Sequence, residues 1–153
     1  MELNGVRVIA ADRDTVWAHL NSAATLAACI PGCQELTGSA EDGFEAVVKQ
    51  KVGPVKATFK GAVMLSEINA PESYRISGEG KGGVAGFAKG GAHVTLAEVE
   101  GGTELSYEVD AKVGGKLAQL GNRIVHGFAV KMTEAFFQNF QEQIEGPAEA
   151  DGA

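Results

Sequence analysis

The sequence has few of the residues that mark several large classes of protein. It contains two cysteines in 153 residues, too few for a disulfide framework, so we expect Cys29 and Cys33 to be small buried hydrophobes. The longest uncharged stretch, residues 20–34, is interrupted by Pro31 and is shorter than the roughly 20 apolar residues of a membrane span. Residues 1–5 lack the pattern of a signal peptide. These absences predict a cytoplasmic protein whose only membrane contact would be peripheral.

Positive charge is also scarce. The chain has 13 Lys and Arg against 20 Asp and Glu, which gives a net charge of −7. Because nucleic acid binding requires clustered basic side chains, this balance argues against a nucleic acid partner. We interpret a local group of lysines as a solvated sheet face, with a docking patch for an acidic partner or a lipid headgroup as the alternative. The group consists of Lys49, Lys51, Lys56 and Lys60.

Side chains for metal binding or catalysis are few and scattered. His19, His93 and His126 have no metal-ligand neighbour three or four residues further on, the spacing that a helical metal site uses. No serine–histidine–aspartate or cysteine–histidine pattern is present, and inward-facing carboxylates are absent from the strand pattern. The residues therefore predict no metal, no cofactor and no catalytic residue.

Glycines are concentrated in residues 78–91. Gly78, Gly80 and Gly83 match the spacing of a dinucleotide fingerprint, but a true fingerprint opens a helix after a strand. The flanks of this segment alternate like antiparallel strands instead. We interpret it as a hairpin or a bulged strand pair, with a mobile gate at a cavity mouth as the functional alternative.

The remaining sequence has a clear order of elements. A first strand, residues 3–10, is followed by a short helix that Asp12 can cap and by a second short helix over residues 23–29. From about Thr37 to Val113, apolar and polar residues alternate, which is typical of half-buried strands. Residues 114–145 have apolar side chains at three- and four-residue steps, which predicts one long helix. About 30 helical residues span roughly 45 Å.

This order predicts an α+β fold of the helix-grip type. A curved antiparallel sheet of about seven strands would wrap the C-terminal helix, in one domain over residues 1–145. Because the apolar stripe of the helix is wider than packing on one sheet face requires, we expect a cavity between helix and sheet. Residues 146–153 are mostly Ala, Glu, Asp and Gly, a composition that predicts an acidic, disordered tail.

Inward positions of the strands and of the helix stripe are candidates for the lining of this cavity. Gln50 shares a strand face with Phe44, Val48 and Val52. Since a buried amide needs a hydrogen-bond partner, Gln50 would contact either a ligand carbonyl or a backbone group. The other candidates are apolar or aromatic: Phe59, Val63, Phe87, Tyr107, Leu120, Ile124, Phe128 and Met132.

Four segments carry a resemblance to a known family. They are CIPGC at residues 29–33, VGPVKATFKG at 52–61, GKLAQLG at 115–121, and FF followed by NF at 136–140. Together, and in this order, they resemble the CoxG-like family of carbon monoxide dehydrogenase accessory proteins, a branch of the START-like, or SRPBCC, superfamily. The resemblance extends over nearly the whole chain.

Members of that family are non-catalytic accessory proteins of molybdenum hydroxylases such as aerobic carbon monoxide dehydrogenase. The resemblance therefore implies a hydrophobic ligand, for example a quinone, and a link between the hydroxylase and the membrane or respiratory chain. In the family, membrane contact is credited to a C-terminal extension. Here a short acidic tail follows Ile144, so ligand carriage and partner binding are the better supported expectations. Two alternatives stay open: a START-like cyclase or hydrolase acting on a lipophilic substrate, and a structural assembly factor with a filled core.

Overall fold

Seven strands and four helices follow one another along residues 1–146, the part of the chain that the computed structural model describes. The predicted disordered tail, apart from Gly146, lies outside these residues. The elements are β1 (Glu2–Ile9), α1 (Arg13–Leu20), α2 (Ala23–Cys29), β2 (Cys33–Ser39), β3 (Gly43–Val52), β4 (Val55–Asn69), β5 (Ser73–Lys81), β6 (Phe87–Val99), β7 (Gly102–Gly114), α3 (Lys116–Gln119) and α4 (Asn122–Glu145).

All seven strands form a single antiparallel sheet in the order β1-β7-β6-β5-β4-β3-β2. Strands β2 to β7 make a meander in which each strand pairs with the next along the chain. Strand β1 returns to pair with β7, where Glu2 stands opposite Asp110 and Ile9 opposite Thr103. The sheet is curved, and α4 lies across its inner face. The predicted α+β helix-grip fold is confirmed.

The two short helices after β1 begin at capping residues. A carboxylate oxygen of Asp12 accepts a hydrogen bond from the backbone N–H of Thr15 at 3.3 Å, which satisfies a free amide of the first turn of α1. The hydrogen bonds from Thr15 hold the pKa of Asp12 below its usual value. Ser22 caps α2 in the same way, through the N–H of Thr25 at 3.3 Å. Helix α2 ends before Pro31, as predicted.

The C-terminal helical tract is broken near its start. Helix α3 covers Lys116–Gln119 and α4 covers Asn122–Glu145, with Gly121 between them at a φ of +90°. Only glycine adopts this conformation without strain, so the chain changes direction here. The prediction of one continuous helix from Gly114 is therefore wrong over its first turns. The 24 residues of α4 still span about 36 Å.

The glycine segment at residues 78–91 is an antiparallel strand connection. Pairing between β5 and β6 runs from Ser73 opposite Thr95 to Lys81 opposite Phe87, and a 3-10 turn over Gly83–Ala85 joins the two strands. The three glycines with fingerprint spacing lie on β5 and on this turn, where no helix of a dinucleotide-binding unit begins. Within the segment, residues 82–86 alone lie outside the sheet.

The hydrophobic core occupies one half of the space between the sheet and the helices. Helices α1 and α2 and the second half of α4 fill it with large side chains, and the ring of Tyr107 stacks on that of Phe137 with centroids 4.3 Å apart. Cys29 is buried there, as predicted, and burial raises the pKa of its thiol to about 11. Cys33, which was also predicted to be buried, is only partly buried at the start of β2. The buried cluster consists of Ile9, Val16, Leu20, Cys29, Tyr74, Val94, Leu96, Leu105, Phe137 and Phe140.

Candidate ligand-binding cavity

A cavity of about 300 Å³ occupies the other half of the space between the sheet and the helices. The first half of α4 and the short helix α3 cover it, through Leu117, Val125, Phe128, Ala129, Met132 and Thr133. The sheet side is formed by six of the seven strands and by Met1. Its residues are Leu3, Val48, Gln50, Val52, Phe59, Gly80, Ala88, Val109, Ala111 and Val113.

The cavity exists because inward-facing side chains become smaller along the central strands. On the inner face of β6, the large residues Leu96 and Val94 lie in the filled core. The inward positions that precede them on the strand hold the small residues Ala92, Gly90 and Ala88. Strand β5 follows the same gradient, since inward residues there decrease from tyrosine and isoleucine to two glycines. Gly80 and Ala88 stand opposite each other, so little side-chain volume lies beneath the first half of α4.

The decrease in the size of inward residues along β5 and β6 can be read from the sequence. It indicates the cavity lining better than the positions of the large apolar residues do. Cavity residues that the sequence analysis did not single out include Ala88, Ala111 and Ala129. Each is small and occupies an inward position of a strand or of α4. A decrease in residue size along two paired strands marks the hollow end of the domain, and the large residues mark the filled end.

The cavity is apolar except for one amide and one hydroxyl. The Nε2 of Gln50 donates a hydrogen bond to the backbone oxygen of Pro31, so the backbone partner that we considered for Gln50 is present. Gly32, with a φ of +77°, lets the loop approach this closely, because a Cβ there would lie 2.8 Å from Nε2. The Thr133 hydroxyl donates to the oxygen of Ala129 at 2.8 Å. One N–H of the Gln50 amide is left for a further acceptor.

Four of the nine predicted site residues line the cavity: Gln50, Phe59, Phe128 and Met132. They belong to β3, β4 and two successive turns of α4, so the fold brings together residues that are up to 82 positions apart. Phe59 lies beneath the β5–β6 connection, where a Cβ on Gly82 would be 2.6 Å from its ring. The aromatic rings of Phe59 and Phe128 are the largest side chains of the lining.

The other five predicted residues lie elsewhere. Tyr107 stacks in the filled core, and Val63 pairs across the sheet with Phe44. Phe87 is on the outer face, where its ring occupies the space beside Gly114. Leu120 and Ile124 lie at the α3–α4 break against the β3–β4 turn, and 42% of the Ile124 surface is exposed.

No side chain in the described lining of the cavity is titratable. Across residues 1–146, no three His, Cys, Asp or Glu side chains come close enough together to hold a metal ion. Among the helices of that same range, none is both long and apolar enough to cross a membrane. The side chains around the cavity are thus uncharged, and all but Gln50 and Thr133 are apolar.

Comparison with known proteins places this architecture in a family. Residues 5–145 match the family model of CoxG, the G subunit of carbon monoxide dehydrogenase, whereas no curated protein sequence matches the chain. A conserved protein from Geobacillus kaustophilus has a similar crystal structure, with a TM-score of 0.86 and 29% identity over 94% of this chain and 95% of that one.

More distant structures share the fold alone. A protein from Rhizobium leguminosarum has a TM-score of 0.72 at 15% identity, over 96% of this chain and 95% of that one. A protein from Chromobacterium violaceum has a TM-score of 0.67 at 15% identity, over 95% of this chain and 98% of that one. With the family match covering nearly all of its length, the chain belongs to the CoxG family of carbon monoxide dehydrogenase and has its START-like fold.

Proposed function

We propose that this protein is a non-catalytic accessory protein of a molybdenum hydroxylase of the carbon monoxide dehydrogenase type, and that it binds a hydrophobic small molecule in the cavity. Family membership supports the association with such an enzyme. The observation that carries the ligand is the cavity of about 300 Å³, which is at the lower end of the range for small-molecule sites. Its apolar walls would release water when an apolar ligand enters.

A carrier role accounts for the lining better than catalysis does. General acid–base chemistry needs a titratable group within about 3 Å of the reacting atoms, and the polar side chains of the described lining are an amide and a hydroxyl instead. This argues against the cyclase or hydrolase alternative. The assembly-factor alternative requires a filled core, whereas only the half around Phe137 and Phe140 is filled.

A quinone-like molecule has the chemistry that the cavity would recognise. Its planar apolar body suits walls formed by Phe59, Phe128 and Met132, since aromatic rings pack well against flat apolar groups. Its carbonyl oxygen would accept a hydrogen bond from the second N–H of the Gln50 amide. This bond would orient the ligand with its carbonyl group toward the Pro31 loop. In this proposal the protein works in the cytoplasm, with at most peripheral membrane contact, and links the hydroxylase to the respiratory chain.

The ligand is tested by calorimetric titration with a short-chain quinone. We expect saturable binding that varies little with ionic strength, because burial of apolar surface neutralises no charge. Phe128→Asp, which puts a carboxylate into the cavity, should abolish binding. Ile124→Asp is the matched control, since it adds the same charge one turn earlier on α4 at an exposed position. Equal binding by a folded Phe128→Asp protein would place the ligand elsewhere.

The role of the protein is tested by deletion of its gene. We expect the hydroxylase to stay assembled and active with a soluble dye as electron acceptor, while electron delivery to the respiratory chain falls. Loss of the dye-linked activity would show that the protein is needed for assembly, and the carrier role would then be rejected.

A further inference from the structure

Seven lysines share one end of the outer face of the sheet, the face turned away from α4. All seven are exposed, and they lie on five neighbouring strands, from β3 to β7. A protein with a net charge of −7 therefore carries more than half of its 13 basic residues in one area. We call this area the lysine face, and it consists of Lys49, Lys51, Lys56, Lys60, Lys81, Lys89 and Lys112.

The lysine face contains three pairs of lysines that stand directly opposite each other on neighbouring strands. Side chains in this position have Cβ atoms about 5 Å apart, and like charges there destabilise a sheet. Ion pairs within the described residues join Arg13 to Glu98 and Arg75 to Asp110, so none neutralises these lysines. The pairs are Lys51 with Lys56, Lys60 with Lys81, and Lys89 with Lys112.

An anionic surface outside the molecule would relieve the repulsion of these three opposed pairs. The sheet holds the lysines in a fixed arrangement, since β3 to β7 are paired along this end. Glu79 lies within the lysine face, opposite Lys89. Other acids lie at its edges: Glu35 and Glu45 beside Lys60 and Lys81, and Glu2 beside Lys89 and Lys112. From this arrangement we infer that the lysine face docks against an acidic patch on a protein partner.

The limited extent of the lysine face favours a protein over a membrane. Asp110 lies two residues from Lys112 on the same face of β7 and begins an acidic area with Glu108 and Glu104. On β3, Glu45 is four residues from Lys49. A flat anionic bilayer against this face would meet both areas, whereas a protein with a local acidic patch can match the basic end alone.

Docking on the lysine face would leave the cavity free. Lys49 and Lys51 alternate along β3 with Gln50 and Val52, which line the cavity on the inner side. The same alternation places Lys60 next to Phe59. A partner bound here would lie directly behind the ligand, separated from it by the thickness of the sheet. The inference rests on the proposed function only for the identity of the partner, a molybdenum hydroxylase.

The test uses a variant that removes one lysine from each opposed pair, Lys51→Gln/Lys60→Gln/Lys89→Gln. The matched control makes the same change in net charge away from the lysine face, at exposed positions of α3 and α4. It is Lys116→Gln/Arg123→Gln/Lys131→Gln. The full-length proteins are immobilised, and association of the purified hydroxylase of the same host is followed by biolayer interferometry. Ionic strength is raised from about 0.01 M to about 0.15 M, which shortens the Debye length from about 30 Å to about 8 Å.

We expect the wild-type association rate to fall steeply with ionic strength, and to fall about tenfold or more in the lysine-face variant, because clustered charge mainly accelerates encounter. The control should keep the wild-type rate within about twofold, because its charges lie outside the docking surface. Thermal unfolding of the lysine-face variant should occur at or above the wild-type temperature, since like-charge pairs are removed. An unchanged association rate in the lysine-face variant, or no binding of the hydroxylase by the wild-type protein, would overturn the inference.

Two further measurements separate this inference from its rivals. Vesicles that contain phosphatidylglycerol are tested in the same assay. If the lysine-face variant loses binding to the vesicles but keeps binding to the hydroxylase, the lysine face contacts a membrane and the inference is wrong. Short-chain quinone is titrated into the same variant. Lysine-dependent docking without quinone binding would refute the carrier function and support the docking surface. Quinone binding without lysine-dependent docking would refute the docking surface and support the carrier function.

Discussion

Filling the cavity should stabilise this protein and, at the same time, abolish the proposed ligand binding. Ala88 and Ala92 face inward four residues apart on β6. Ala88 lines the cavity opposite Gly80, whereas Ala92 packs against the filled core opposite Ile76. Replacement of each by leucine is therefore the same chemical change in a hollow and in a filled environment.

The two replacements should have opposite effects on the free energy of unfolding. Leucine adds three carbon atoms, which at about 0.8 kcal/mol per buried methylene gives about 2 kcal/mol. The lost rotamer freedom of leucine costs about 0.5–1 kcal/mol. Ala88→Leu should thus stabilise by about 1–1.5 kcal/mol, or roughly 2–6 °C in Tm for a chain of this length. Ala92→Leu should destabilise by about 1–3 kcal/mol because it overpacks the core.

Urea denaturation and quinone titration of both variants provide the assay. We expect Ala88→Leu to unfold at higher urea concentration and to lose quinone binding. We expect Ala92→Leu to unfold at lower urea concentration and, while folded, to bind the quinone. If Ala88→Leu is destabilised as much as Ala92→Leu, the space beneath the first half of α4 is filled and the argument fails.

Three other predictions follow from single residues. Gly121→Ala should destabilise the protein by about 1–2 kcal/mol in urea denaturation, because alanine is strained at the φ of +90°. Gly127→Ala should stabilise it by about 0.5–1 kcal/mol, because Gly127 lies inside α4 with open space around it. Gln50→Leu should weaken quinone binding more than binding of an alkyl ligand of equal size, since only the quinone accepts the amide N–H. Burial raises the pKa of the Cys29 thiol to about 11, so at neutral pH it holds less of the reactive thiolate than an ordinary cysteine. A thiol reagent should therefore label Cys33 first in the native protein, with Cys29 labelled only at strongly alkaline pH or after unfolding; equal rates would contradict its burial.

The sequence predicted the elements well where local rules decide them. Asp12 was predicted to cap the first short helix because a side-chain oxygen near a free amide is a local arrangement. Alternation defined β4 from Val55 onward, since a half-buried strand has period two whatever it packs against. The helix break at Gly121 was missed because glycine in an apolar stripe can sit inside a helix or at a positive φ, and tertiary packing selects between them.

The lining of the cavity was harder to predict because it depends on strand parity. Strand β6 begins at Phe87, inside the glycine segment at residues 78–91, and the glycines on both sides of Phe87 hid the alternation. Parity counted from Lys89 puts Phe87 on the outer face. The predicted lining favoured large apolar residues, and one of them, Tyr107, lies in the filled half. The hollow half is instead defined by small residues such as Ala88. A cavity is therefore visible in a sequence only indirectly, as small residues at inward positions.

The central claim, that the hollow half of the domain holds a lipophilic ligand, is tested most directly by native mass spectrometry. Wild-type protein and the Ala88→Leu variant are purified from the native host without detergent and measured under non-denaturing conditions. The account predicts a wild-type mass that exceeds the chain mass by one lipophilic molecule, which is released on denaturation, and a variant mass equal to that of the chain alone. The same added mass on both proteins would place the ligand outside the cavity, and bare chain mass for the wild type would contradict the carrier function.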